Sequence, residues 1–227
     1  MVRARPQVFI PFEDENYARG FTCVAGIDEV GIGPLAGPVV AAAVVLPRDF
    51  KEPGVNDSKL LTETERERLA PVIKANAISW GLGIVDVQEI DRINILKAAL
   101  LAMAKACRAL EPEPDHLLID GNRTIPVEFF SMTYAPSLRA PRQTAIIKGD
   151  RVCFSIAAAS IIAKVARDHM MIELDASYPQ YGFAGHKGYC SAGHLEALRR
   201  YGPSQAHRRS FGPVRELCGL LDIVWKE

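Results

Sequence analysis

The sequence predicts an α/β domain with a mixed sheet and a helical C-terminal appendage. Three observations predict it. β-rich apolar runs dominate the front of the chain, strand and helix patterns alternate through the middle, and helical patterns fill the back. At 227 residues the chain is long enough for one such domain with a full core.

Taken in order, residues 1–20 are polar and aperiodic and read as a loose extension. "FTCVAGIDE" and "PVVAAAVVL" are apolar strands separated by a Gly/Pro turn. "NDSKLLTETERERLAPVI" opens a helix, with Thr62 and Glu65 spaced as a capping box. "AISWGLGIV" reads as a strand. Asp86 and Glu89 then cap a helix whose apolar stripe runs through Ile90, Ile93, Leu96, Leu100, Met103, Cys107 and Leu110. "DHLLID" is a buried strand ending at Asp120. Residues 121–149 are rich in turns, with strand candidates near 127–134 and 144–147. "SIAAASIIAKVARDHMMIELDASY" is a long helix dense in small residues, and shorter helices are expected near 191–201 and 213–224.

Composition narrows the class. The longest apolar run, Val39 to Leu46, is too short to cross a bilayer, so no membrane association is expected. The N-terminus lacks the apolar core of a signal peptide. Five scattered cysteines without a CxxC pair fit reduced thiols in the cytoplasm and argue against cysteine-ligated zinc. Net charge is zero but uneven: residues 1–138 hold 14 Lys+Arg against 19 Asp+Glu, and residues 139–227 hold 13 against 8. An acidic catalytic half and a basic half facing a polyanion would have this balance.

"GIDEVGIGPLAG", residues 26–37, places Asp28 and Glu29 immediately before a Gly/Pro loop. The loop departs from a dinucleotide fingerprint: the third glycine is one residue late, a strand follows, and the acids come first. A divalent cation between the acids and a phosphate reconciles the two features, since carboxylates hold hard cations and the cation attracts phosphate. Such a site needs more acids. Asp120 ends a buried strand. Asp150 and Asp168 are 18 residues apart, roughly 27 Å along one helix, so only one can join. Asp150, at the helix start, is favoured; Asp168 has Lys164 one turn away and a supporting role is expected. Because neighbours on a strand face opposite ways, the strand is expected to end, bend or bulge at Glu29. Residue chemistry alone reaches a divalent-metal site acting on a phosphodiester.

The blocks "GIDEVGIGPLAGPVVAAAVVL", "NDSKLLT", "INILKAALLAM", "LLIDGNRTIP", "KGD", "SIAAASIIAKVARD", "YPQYGFAGHKGY" and "HRRSFGPV" resemble bacterial ribonuclease HII, in that family's order, over residues 21–215. The resemblance implies a ribonuclease H-like fold, with a five-stranded mixed sheet flanked by helices and a C-terminal helical extension. It implies a catalytic domain over 21–185 and an extension over 186–227 that contributes to substrate binding. The implied activity is two-metal hydrolysis, with Mg²⁺ or Mn²⁺, of the RNA strand of RNA/DNA hybrids. Incision 5′ of single ribonucleotides in duplex DNA, leaving 3′-hydroxyl and 5′-phosphate ends for ribonucleotide excision repair, is implied as well.

The family carboxylates fall on Asp28, Glu29, Asp120 and Asp150. The loop Gly31-Ile32-Gly33 corresponds to the one that reads the 2′-hydroxyl with backbone groups, and Tyr189 to a tyrosine packed on the neighbouring sugar. Asn56, Lys59 and Lys187 are expected phosphate contacts. Ile32 departs from the family's usual arginine, which is expected to alter affinity or selectivity. Residues 123–142 are longer than the family pattern and read as an insertion. His186, His194 and His207 are expected to be surface or supporting polar groups. A monomer is expected.

Overall fold

The computed structural model describes residues 8–133 and 140–224. Its sheet has five strands: β1 (Val24–Val30), β2 (Val39–Val45), β3 (Ser79–Val85), β4 (His116–Asp120) and β5 (Arg142–Ile146), in the order β3-β2-β1-β4-β5. β1 runs antiparallel to β2 and parallel to β4, and β4 runs parallel to β5, so the sheet is mixed. β2 is buried at every position, as its unbroken valine and alanine run requires of a strand covered on both faces.

The helices are α1 (Phe12–Ala18), α2 (Glu63–Asn76), α3 (Val87–Ile93), α4 (Ile95–Arg108), α5 (Val127–Thr133), α6 (Gly149–Val152), α7 (Phe154–Ser177), α8 (Phe183–His186), α9 (Ala192–Tyr201) and α10 (Gly212–Val224). Thr62 and Glu65 form the expected capping box at α2. Asp86 caps α3 through the Glu89 N–H. Among the described residues, no helix is long and apolar enough to cross a membrane.

Four expectations need correction. Residues 12–18 of the expected loose extension form α1, because Glu13 reaches the backbone N–H of Ser155 (2.8 Å) and Asn16 is buried. The helix expected to run unbroken past Asp86 is split at Asn94, whose φ of 71° breaks the helix while its side chain accepts the Lys97 N–H and starts α4. The strand candidate near 127–134 is α5, which turns the adjacent Phe129 and Phe130 into the interior. The remainder of that candidate, and residues 134–139 of the expected insertion, lie outside the described residues. Finally, β1 neither ends nor bulges at Glu29: Asp28, Glu29 and Val30 pair one-to-one with Ala42, Ala41 and Val40.

The chain divides into two compact units. The first comprises Met1–Val30, Val40–Ile84 and Leu100–Val165; the second comprises Gly31–Val39, Val85–Ala99 and Ala166–Glu227. In the first, Ala42, Val44, Leu69, Ile73 and, from α7, Ala157, Ala158, Ala159, Ile161, Ile162 and Ala163 belong to one core. Gly26 of β1 lets α7 approach closely: a Cβ there would collide with the backbone of Ser155 and Ile156. In the second, Leu35, Met171, Tyr181, Phe183, Leu198 and Val214 form a separate core.

Candidate active site

The first unit gathers the acids. Ile27 of β1 pairs with Ile119 of β4, so Asp28 and Asp120 stand one residue further along adjacent parallel strands. Asp120 pairs with Ile146 at the end of β5. The chain then turns through Lys148, in a left-handed conformation, into α6, which carries Asp150. The Gly149 N–H donates to Asp120 Oδ1 at 2.6 Å and ties this turn to β4. Asp28, Asp120 and Asp150 each offer an oxygen, all within 4.8 Å of one another. Asp28 and Asp150 are buried, each 5% exposed. Acids at the carboxyl ends of neighbouring strands are where open α/β sheets place their sites.

Glu29 is outside this set of three but feels its charge. Burial and then Asp120 raise the Glu29 carboxyl to about 7. Burial, then Glu29 and Asp120, raise Asp28 well above the carboxylate range, although the Glu29 N–H donates to its Oδ1 at 2.7 Å. Burial and then Asp120 also raise Asp150. Lys59 Nζ lies 3.7 Å from Asp150 Oδ2. Burial lowers the Lys59 ammonium, but the surrounding acids, Asp28 foremost, outweigh that and raise it. One lysine leaves an excess of negative charge, and hard oxygen donors this close, each disfavouring the other's ionisation, suit a divalent cation. Asp28, Asp120 and Asp150 would hold it. Asp168, also buried, is not in the cluster.

The loop of Lys59 rests on a residue that the sequence reading missed. Asp57, 1% exposed, accepts the Lys59 N–H (2.9 Å) and Arg151 Nε (3.1 Å). Asn56 Oδ1 accepts the Asp57 N–H, so this side chain shapes its own turn.

The second unit holds the glycine loop and Tyr189. Gly31 is buried with φ of 99°, and a Cβ there would collide with Arg167. Ile32 is half-buried and Gly33 exposed. Tyr189 is 44% exposed, and its Cε1 lies 3.8 Å from where a Cβ on Gly33 would stand. Lys187 donates to the Ala184 carbonyl.

Two arginines, both fully buried, were also missed. Arg208 donates from Nε to Gly37 O (3.0 Å), from Nη1 to Ile32 O (3.0 Å), and from Nη2 to Gly31 O (2.7 Å) and Pro38 O (3.2 Å). Arg167 donates to Pro38 O, Lys187 O and Ala36 O. The helical spacing of Arg167, Met171 and Leu174, an arginine in line with apolar residues, was the available signal for one of them.

His194 and His207 are buried, which corrects the surface reading, and their partners fix their protons. His194 Nδ1–H donates to Tyr189 O (2.9 Å), His207 Nε2–H donates to His194 Nε2 (3.0 Å), and His207 Nδ1 accepts the Ser204 N–H (3.0 Å). This chain requires both rings neutral. Burial, then His194, lowers His207 to about 4. His186 stacks on His194 with ring centres 4.4 Å apart.

Comparison with known proteins shows the family and the fold. A family model described as ribonuclease HII matches residues 25–214. A ribonuclease HII of Anaeromyxobacter sp. (strain Fw109-5) is 53% identical over 212 residues, covering 93% of this chain and 64% of the relative. One from Geobacillus thermodenitrificans (strain NG80-2) is 53% identical over 218 residues, covering 96% and 79%. The crystal structure of the ribonuclease H2 from Pyrococcus horikoshii OT3 superposes with a TM-score of 0.69 at 29% identity, covering 88% of this chain and 99% of that one.

Proposed function

This chain belongs to the ribonuclease HII family of metal-dependent ribonucleases, and from that premise we propose that it hydrolyses the RNA strand of RNA/DNA hybrids. We propose further that it incises 5′ of single ribonucleotides embedded in duplex DNA, leaving 3′-hydroxyl and 5′-phosphate ends. The observation that carries the reading is the meeting of Asp28, Asp120 and Asp150 within 4.8 Å.

In this reading Asp28, Glu29, Asp120 and Asp150 hold two divalent ions, Mg²⁺ or Mn²⁺. Ions held there would supply activation of water and neutralisation of charge on the phosphate and the leaving 3′-oxygen. The chain's own residues do the positioning. Asp120 is oriented by Gly149, and Lys59 lends a positive charge beside Asp150. Gly31, Ile32 and Gly33 present backbone to the ribose 2′-hydroxyl, the group that distinguishes RNA from DNA. Covalent continuity brings this loop within two residues of Glu29. Tyr189 supplies an exposed ring to pack on a sugar. Asn56, Lys59 and Lys187, with residues 186–227, contact the duplex backbone without reading sequence. The protein acts as a cytoplasmic monomer.

The test is a labelled duplex carrying one ribonucleotide, incubated with folded protein and Mg²⁺ or Mn²⁺. A single cut 5′ of the ribonucleotide is expected. Absence of cleavage with both ions would make the chain a binder of hybrids rather than a nuclease.

A further inference from the structure

We infer that Arg208 is a positioning residue for 2′-hydroxyl selection: its buried guanidinium fixes the direction of the loop amides that read the ribose. The inference rests on the proposed function and adds to it a residue far from the loop in sequence.

Two consecutive carbonyls, Gly31 O and Ile32 O, accept from one guanidinium at 2.7 and 3.0 Å. The peptides of this loop are trans. In a trans peptide the C=O and the following N–H point opposite ways. The Gly31 carbonyl therefore fixes the Ile32 N–H, and the Ile32 carbonyl fixes the Gly33 N–H, both directed away from Arg208. Those are the donors a backbone reader needs facing a substrate.

The remaining bonds brace the same arrangement. Arg208 also holds the far side of the loop through Gly37 O and Pro38 O. Arg167 takes Pro38 O and Ala36 O, and ties them to Lys187 O, two residues before Tyr189. A guanidinium has a planar fork of donors and can span four carbonyls; an ammonium has a single nitrogen and cannot. Burying this charge is costly: burial, then the neighbouring Arg167, pulls Arg208 down to about 9. A buried cation of this kind is retained only when its hydrogen bonds are made, and here they are made to the loop.

Arg208→Lys keeps the positive charge and loses the fork; circular dichroism and thermal melting establish that it folds. Binding is measured in an Asp120→Asn background, so that substrate stays intact, with a duplex carrying one ribonucleotide and the identical all-DNA duplex. The parent is expected to prefer the ribonucleotide, and Arg208→Lys to lose at least about tenfold of that preference, the loss of one charged hydrogen bond. In ¹H–¹⁵N spectra the Ile32 and Gly33 amides should shift or broaden. Unmoved amides, or moved amides with the preference intact, overturn the role of Arg208. A parent without preference sinks the functional reading, and the positioning role in that reaction with it. The spectra then still report separately whether Arg208 sets the loop. If Arg208→Lys does not fold, Arg208→Gln, which keeps an N–H₂ donor but loses the fork, replaces it under the same criteria.

Discussion

Replacing Asp120 with asparagine should abolish cleavage while making the metal-free protein more stable. Asn is nearly isosteric and keeps an oxygen to accept the Gly149 N–H, now made at 2.6 Å, so the turn into α6 has no reason to move. What changes is charge. Oxygens of Asp28, Asp120 and Asp150 lie within 4.8 Å of one another. Two full charges at that separation repel by about 3 kcal/mol at an effective dielectric of about 20. Partial protonation and relaxation reduce this, leaving a net gain of about 2 kcal/mol above the Glu29 value of about 7. For a chain of this size that is about 4–8 °C in melting temperature. The assay pairs thermal unfolding in chelator at about pH 8.5 with cleavage of the ribonucleotide-bearing duplex. Cleavage should fall by about a thousandfold or more, since a carboxylate that would hold the charge-stabilising ions is lost. A lower or unchanged melting temperature would refute the repulsion argument, and near-normal cleavage would remove Asp120 from the site.

Opposed pH slopes are expected in the metal-free protein. Glu29, raised from 4.5 to about 7, stabilises less as pH climbs through that window, whereas His207, lowered from 6.5 to about 4, stabilises less as pH falls through its own. Each is worth about 3 kcal/mol, so in urea unfolding Glu29→Gln should lose less stability than the parent between about pH 4.5 and 7, with the raised Asp28 and Asp150 acting in both proteins; a slope identical to the parent's would count against the Glu29 assignment. Ile32→Arg should change rate or affinity on single-ribonucleotide duplexes relative to long hybrids, and unchanged values on both would show that Ile32 is neutral. Asp57→Ala strips partners from the Lys59 N–H and from Arg151. It should cost about 1–3 kcal/mol, and an unchanged denaturation midpoint would show that the turn holds without it.

What the sequence made legible was local. The run "HLLID" announces a buried strand that ends in an acid, and Thr62 with Glu65 announces a helix start; both depend on neighbours within a few residues. Favouring Asp150 over Asp168 used the rise of a single helix, whereas Asp150 stands on α6, which extended Cys153 separates from the α7 helix that carries Asp168. The features that escaped depend on partners far away in the chain. Asp57 meets Arg151 across 94 positions, and Arg208 meets Gly31 across 177. No periodicity encodes such pairs. The break at Asn94 escaped because the apolar stripe continues through it, and a backbone angle leaves no mark on a stripe. α5 escaped because Val127, Phe129 and Phe130 carry strand propensity in a segment too short for its period to show.

The two sets of buried charge differ in where their partners lie. In the first unit Asp28, Glu29 and Asp150 are raised by burial and by neighbouring acids, and Lys59 offsets that charge only in part, which leaves room for a partner, a cation, from outside the chain. The guanidiniums of the second unit find theirs inside it, in the carbonyls of residues 31–38. Removing one charge from each set should therefore move stability in opposite directions. Asp120→Asn relieves repulsion that Lys59 offsets only in part. Arg208→Met leaves loop carbonyls without donors in a buried place, at about 1–3 kcal/mol for each one that water cannot reach. A cluster that becomes more stable when a member is lost is held for a ligand, and one that becomes less stable holds the backbone in place, here the loop of residues 31–38. The short segment from Asp28 to Gly33 passes from the first kind to the second within six residues, which is why acids and glycines stand side by side there.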